Sequence, residues 1–427
     1  MLRLPLTQAR PGMVLAMPVF HPALPGHMLL RPGFALDAPA LKRMVELRIF
    51  LIWIRYPALD DLVRFIDPEV TTEHEQLCSL IGRTMDKLSD PIHAHFDYKV
   101  FAEAIRSMLG KLARANSSTL LITDLAGSES RLALHSGATC FLSLLMGLKL
   151  QEYIVTQRTK LTPQAARCIE NLGVAAMLHD VGTLRLSDFA RAAYKRTADE
   201  STPEYMHHTR IGYEMMRGKV EPTAAATVLH HHQNYNGSGW PAVHVDAGMS
   251  LPPPGGRPQG LIGEQIHIFA RILSVADRYD AMRNPPIGNY SEQARVPSVR
   301  VLRDLLVLSR QRIIDPIAFK GLLNVVPAFL PGTLVQLNNG QTAVVTDFDP
   351  LRPCRPTVRI FTCGMRFSTD DQDDALGPPI TLVSRRELCI AESEGQNVLS
   401  DQFEAIDPTE FDLRVLRLPK TKRSAAA

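Results

Sequence analysis

The chain has 427 residues, 45% hydrophobic and 21% charged, a balance that suits a soluble globular protein of roughly two to four domains. The net charge is only +3 and the basic residues cluster nowhere before Lys420-Thr421-Lys422-Arg423, which argues against nucleic acid as a partner. Cys78, Cys140, Cys168, Cys354, Cys363 and Cys389 lie far apart and form no CxxC pair, so neither a zinc ribbon nor a disulfide framework is suggested. The chain shows neither a signal-peptide layout nor an apolar run of about 18 residues that could span a membrane, so a cytoplasmic protein with reduced thiols is expected.

The fold class expected is mainly α, a helical domain flanked by a small α/β module and a small β module. Residues 1–70 read as the first of these: a strand at 12–16, Leu29-Leu30 before a Pro-Gly turn, a helix near 39–47 and an apolar strand at 49–54. Nothing in it offers catalytic groups. Residues 71–115 read as a helical linker, with Leu77, Leu80, Ile81, Met85 and Leu88, then Phe101, Ile105, Met108 and Leu109, at three-and-four spacing. Its apolar faces fit either packing within the chain or a homodimer contact.

Residues 116–327 read as the helical domain. Residues 328–400 return to strands, at 332–337, 342–346, 357–361 and 380–383, the first two joined by an Asn338-Asn339-Gly340 turn. From about 401 the pattern lapses, and a disordered tail is expected.

The helical domain carries the chemistry. His179-Asp180, His208, His230-His231-His232 and Asp277 recur along it, with His135 near the start of a long apolar helix. Imidazole and carboxylate together are the ligand set of iron, manganese or zinc, and burying such a cluster is costly unless a cation compensates. A lone histidine on a helix is more often a core or surface residue, and His207, His230, His244 and His267 are assigned that role.

Four segments, HDVGT (179–183), HTRIG (208–212), HHQNYNGSGWP (231–241) and VADRYDA (275–281), stand in the order of HD-x-G-K, H-P-x-x-G, H-H-E-x-x-D-G-x-G-Y-P and V-A-D-x-Y-D-A. The chain thus resembles the HD-GYP family of the HD phosphohydrolase superfamily, whose characterised members hydrolyse cyclic di-GMP in bacterial second-messenger signalling. The N-terminal module is similar to one that often precedes these domains, its opening matched by Ala9-Arg10-Pro11-Gly12-Met13.

The resemblance implies His179, Asp180, His208, His231, His232 and Asp277 as metal ligands, with His135 as a further candidate from its His-Ser pair. His179 and Asp180 would be the catalytic pair. Arg131 stands where a three-metal subgroup has glutamate, so two divalent ions are expected, iron or manganese first and zinc as the alternative, holding a bridging hydroxide that attacks phosphorus. Asp280 also matches the family and is expected to cap or brace its helix.

The departures from the family concern substrate. The lysine of HD-x-G-K is Thr183, and Arg185 is a candidate substitute. Gln233, Asn236 and Trp240 replace glutamate, aspartate and tyrosine. Gly237 and Gly239 keep the turn that approaches a ligand closely. A basic segment is replaced at 284–288, leaving Arg283 as the nearby guanidinium. Residues 242–259 are read as a lid-like insertion, and the loop bearing Trp240 as a contact for diguanylate cyclase domains. The first reading is a phosphodiesterase yielding pGpG, GMP or both. The alternatives are a catalytically degenerate cyclic di-GMP receptor or protein-interaction module, and a hydrolase of another phosphorylated nucleotide.

Overall fold

A computed structural model of the chain describes residues 1–21, 24–89, 97–115, 131–197, 202–241, 260–285, 295–362 and 376–404. The insertion expected at 242–259 and the tail beyond 404 lie outside the described residues.

The N-terminal segment contains β1 (Leu2–Pro5), β2 (Val19–His21), β3 (Leu24–Leu30), α1 (Ala38–Glu46) and β4 (Leu51–Ile54). β1 pairs antiparallel with β4, and β2 with β3. Asp37 starts α1 by accepting from the Ala40 amide, with Pro39 in the first turn. The strand expected at 12–16 is only a pair of isolated bridges, Val14 to Ala35 and Leu15 to Ile54. Pro11 and Pro18, which lack an N–H, bracket it.

The helices α2 (Pro68–Ser89) and α3 (Tyr98–Arg114) bury Leu77, Ile81, Met85, Phe101, Ile105 and Met108 in the core of the helical domain. Next come α4 (Arg131–Lys149), α5 (Gln151–Gln157), α6 (Pro163–Ala166) and α7 (Glu170–Leu178). α4 packs on α2, α7 and, further on, α12 (below), and it is the one described helix long and apolar enough to cross a membrane. No such run was expected from the sequence. Two-thirds (67%) of its apolar window is buried inside the protein, which is why it is apolar all round. α2 approaches so closely that a Cβ on Gly137 would lie 2.3 Å from Cys78 Sγ.

The chain continues through α8 (Asp188–Thr197), α9 (Pro203–Met206), α10 (His208–Met216), α11 (Pro222–His230), α12 (Ile268–Arg283), α13 (Ser298–Arg310) and α14 (Pro316–Leu323). It ends in β5 (Leu334–Leu337), β6 (Thr342–Asp347), β7 (Thr357–Phe361), β8 (Leu376–Thr381), β9 (Ile390–Ser393) and β10 (Gln396–Asn397), an antiparallel sheet of order β10-β9-β5-β6-β7-β8. The strand expected at 380–383 therefore lies earlier. Pro378 and Pro379 disguise it in the sequence, and both are tolerated because β8 is an edge strand.

The first and last segments share a core, with Leu2, Leu4, Ile52 and Phe65 packed with Leu334, Val344 and Phe361. Glu394, from the turn between β9 and β10, joins all three regions. Its carboxylate accepts from Arg3 (2.6 Å) in β1 and from Arg283 (2.7 and 2.8 Å) at the end of α12.

Candidate metal centre

His179 and His231 immediately follow α7 and α11, His208 opens α10, and Asp277 and His135 project from α12 and α4. Helix ends leave backbone carbonyls without intrahelical donors. His179 Nδ1–H donates to Ala176 O (2.9 Å), His208 Nδ1–H to Tyr205 O (2.6 Å) and His231 Nδ1–H to Val228 O (2.7 Å). A carbonyl only accepts, so each bond fixes the tautomer and turns a bare Nε2 inward. His135 is held differently, its Nδ1 lying 2.7 Å from Asp280 Oδ2.

The inward atoms fall into two groups joined by Asp180. Asp180 Oδ2 lies 3.6 Å from His179 Nε2 and 4.0 Å from His135 Nε2. Its Oδ1 lies 3.5 Å from His208 Nε2 and 3.9 Å from His231 Nε2. Asp277 Oδ1 completes the first group, 3.0 Å from His135 and 3.7 Å from His179. His232 completes the second, with the donor atoms of Asp180, His208, His231 and His232 all within 4.8 Å of one another.

These spacings fit a cation. Ligands at about 2.1 Å from one ion lie roughly 3.0–3.4 Å apart along the edges of an octahedron or tetrahedron. The Nε2 atoms of His135 and His179 are 3.3 Å apart, and those of His208 and His231 are 3.5 Å apart. Two bare nitrogen lone pairs facing each other at that distance in a buried site repel unless a positive charge lies between them.

The electrostatics point the same way. Burial, reinforced by His179 and His208, pushes His231 down to about 3, and burial with His231 and His208 pushes His232 well below the usual range. Both imidazoles are therefore neutral donors. Burial also works against the charged form of Asp277, but the neighbouring His135 and His179 imidazoles outweigh it and hold the carboxyl well below the usual range.

The loop after His232 shields one side. Trp240 stacks on His232, with ring centroids 4.6 Å apart and planes at 26°. Gly237 and Gly239 have φ of +88° and +89°, and a Cβ on Gly239 would meet His232 O at 2.3 Å. Asn236 Oδ1 accepts from the Ser238 amide (3.1 Å) and hydroxyl (2.7 Å), a role that aspartate could fill equally. Gln233 differs, because its Nε2 donates to Pro241 O, which no glutamate carboxylate could do.

The candidate phosphate contacts have partners within the chain. Thr183 Oγ1 donates to Asp180 O (2.7 Å), turning its hydroxyl back on the chain. Arg185 does not join the cluster. Its Nη2 donates to Leu88 O (3.0 Å), where it lines a cavity with Leu178, Val181 and Met216. Arg283 is engaged by Glu394, which reaches the end of α12 from the turn between β9 and β10.

Asp280, expected to cap or brace its helix, also reaches across to orient His135 from one helical turn after Asp277. One residue was missed. Arg278, whose Nη2 donates to Asn234 Oδ1 (2.8 Å), brings a guanidinium close enough to lower the basicity of His232. No sequence pattern marked it. His267 caps α12 by accepting from the Phe269 amide (3.2 Å), as a non-ligand should.

The HD domain family matches residues 133–282, which hold every residue of the cluster. A protein named cyclic di-GMP phosphodiesterase PA4108, from Pseudomonas aeruginosa, is 23% identical over 398 residues, 84% of each chain. Residues 133–282 thus match the HD domain family, and the chain is similar to proteins named cyclic di-GMP phosphodiesterases.

A second relative, the cyclic di-GMP phosphodiesterase response regulator RpfG of Xanthomonas campestris pv. campestris, is 31% identical over 132 residues. That match spans 30% of each chain. A solved structure described as Bd1817, a HDG"Y"P protein from Bdellovibrio bacteriovorus, aligns with a TM-score of 0.41 and 14% identity, covering 75% of this chain and 97% of that one.

Proposed function

We propose that this chain is a phosphodiesterase that hydrolyses cyclic di-GMP and works with two divalent ions, iron or manganese before zinc. The observation that carries the reading is Asp180, which offers one carboxylate oxygen to His179 and His135 and the other to His208 and His231. His135, His179 and Asp277 would hold one ion with Asp180, and His208, His231 and His232 the other. Bound there, the ions supply a nucleophile at neutral pH and offset charge on the phosphate.

The protein's own residues do the rest. Carbonyls 176, 205 and 228 hold the imidazole tautomers. Trp240 covers His232, and Arg278 supplies positive charge beside it. The names of the relatives support the substrate. A cytoplasmic signalling role, a docking surface for diguanylate cyclase domains on the loop bearing Trp240, a homodimer, and division into modules at 1–70, 71–115, 116–327 and 328–400 belong to the same proposal.

A second reading is favoured by Thr183 and Arg185, whose polar groups are turned to Asp180 O and Leu88 O. With cationic contacts thinned, the protein would bind cyclic di-GMP as a receptor without turnover. The deciding experiment is turnover of cyclic di-GMP by protein purified anaerobically and loaded with ferrous iron or manganese, with His179→Ala/Asp180→Ala as control. Metal-dependent pGpG or GMP absent from the control supports the enzyme. Two bound ions, bound nucleotide and no product support the receptor.

A further inference from the structure

We infer that Asp280 is a positioning residue that makes one of the two metal subsites, the one built on His135, separately adjustable; this rests on the two-ion reading above. His179, His208 and His231 each take their orientation from a carbonyl three residues earlier in the chain, at or near a helix end. Those anchors are local and form with the helices themselves.

His135 cannot use that device. It lies inside α4, between Arg131 and Lys149, where the preceding carbonyls are occupied by the helix's own hydrogen bonds. Its Nδ1 is held instead by Asp280 Oδ2 at 2.7 Å, from a residue 145 positions later in sequence. The orientation of this one imidazole therefore depends on how α4 and α12 pack.

Asp280 is itself fixed. It is 5% exposed, and its Oδ1 accepts from Asn284 Nδ2 (2.9 Å). Asn284 O in turn accepts from Arg131 Nη2 (2.9 Å), at the first residue of α4. The two helices are thus tied at the same end by Arg131–Asn284 and by Asp280–His135. Asp280 faces the outer nitrogen of the ring while Asp277 Oδ1 lies 3.0 Å from the inner one, so Asp280 acts on the metal only through His135.

A carboxylate behind an imidazole fixes its tautomer and raises its basicity. In the other subsite His208 and His231 are backed by neutral carbonyls instead. Removing Asp280 should therefore weaken one ion and spare the other.

The test is binding of manganese alone to metal-free full-length protein, wild type against Asp280→Ala, with His135→Ala and His208→Ala as references. Bound ions are counted by mass spectrometry, affinities taken by calorimetry, and the electron paramagnetic resonance spectrum recorded. Asp280→Ala should keep one ion at wild-type affinity and hold the other about 10–100-fold more weakly. Its spectrum should change from that of a coupled pair to that of an isolated ion, as in His135→Ala, with the circular dichroism of the metal-free protein at room temperature still that of a folded chain. Wild-type affinity for both ions, or loss of both, would overturn the inference. A wild type that holds fewer than two ions would overturn the two-ion reading, and this inference with it.

Discussion

The indole of Trp240 lies on the imidazole of His232, centroids 4.6 Å apart and planes 26° from parallel. Trp53, the other tryptophan, is buried in the core shared by the two ends of the chain. Manganese binding at His232 should therefore quench the Trp240 part of the fluorescence, since a paramagnetic ion one ring away deactivates the excited indole. Trp240→Phe should abolish the quenching while leaving metal stoichiometry intact. Persistent quenching in that variant would assign the signal elsewhere and count against His232 as a ligand.

Gly182 sets how closely the His179-Asp180 segment can approach α10. A Cβ there would lie 1.9 Å from His208 O and 2.6 Å from the Gly212 amide, and backbone cannot turn aside as a flexible side chain can. Gly182→Ala should cost about 1–3 kcal/mol in urea unfolding, as overpacked sites do. It should also weaken the ion shared by Asp180, His208 and His231. Wild-type stability and metal affinity together would show that the two segments relax apart without consequence.

The residues of the His/Asp cluster were legible in sequence because adjacent His-Asp and His-His pairs are rare and their order is informative, whereas their grouping about Asp180 was not. That grouping depends on which carboxylate oxygen faces which helix, a tertiary matter. The same limit explains the substrate residues. Arg185 and Arg283 looked available from the charge pattern, but Leu88 O and Glu394 claim them across long stretches of chain. Strand β8 escaped because its two prolines argue against a strand unless the strand is known to be an edge.

Glu394 bridges Arg3 and Arg283, and all three side chains are buried, at 2–8% exposure. Removing one partner of a buried charge network costs about 3–5 kcal/mol, because the remaining charge keeps its desolvation penalty without that partner. Glu394→Ala should fall in that range by chemical denaturation. A loss below about 1 kcal/mol would mean that water or neighbouring groups replace the carboxylate.

His74 makes acid stability testable without any metal. It is buried between Cys78 and Phe141, and burial lowers it from 6.5 to about 4, against weaker raising effects from the Gly137 backbone and Asp280. The unfolded chain therefore binds this proton below about pH 6.5 while the folded protein resists until about pH 4. Its contribution is fully present above 6.5 and declines as the pH falls from 6.5 to 4, by about 3 kcal/mol at 1.36 kcal/mol per unit. His74→Leu should flatten that part of the stability profile of the metal-free protein. An unaltered profile would assign the acid sensitivity to other groups, such as His267, which burial and two arginines also lower to about 4.

Thr183 is where this chain departs most consequentially from the HD-x-G-K pattern. Its hydroxyl donates to Asp180 O at 2.7 Å, so it supports the backbone at Asp180, and a neutral hydroxyl carries no charge for a substrate. A hydrogen bond from a cation to a phosphate oxygen contributes about 1.5–3 kcal/mol, or roughly 10–100-fold in a rate or binding constant. Thr183→Lys should therefore raise kcat/KM for cyclic di-GMP by about that factor, provided the metal content is unchanged. The support lost at Asp180 O should appear separately, as a modest fall in melting temperature. An unchanged kcat/KM with both ions bound would mean that the phosphate already has its cation, and would make Arg278, beside His232, the next residue to replace.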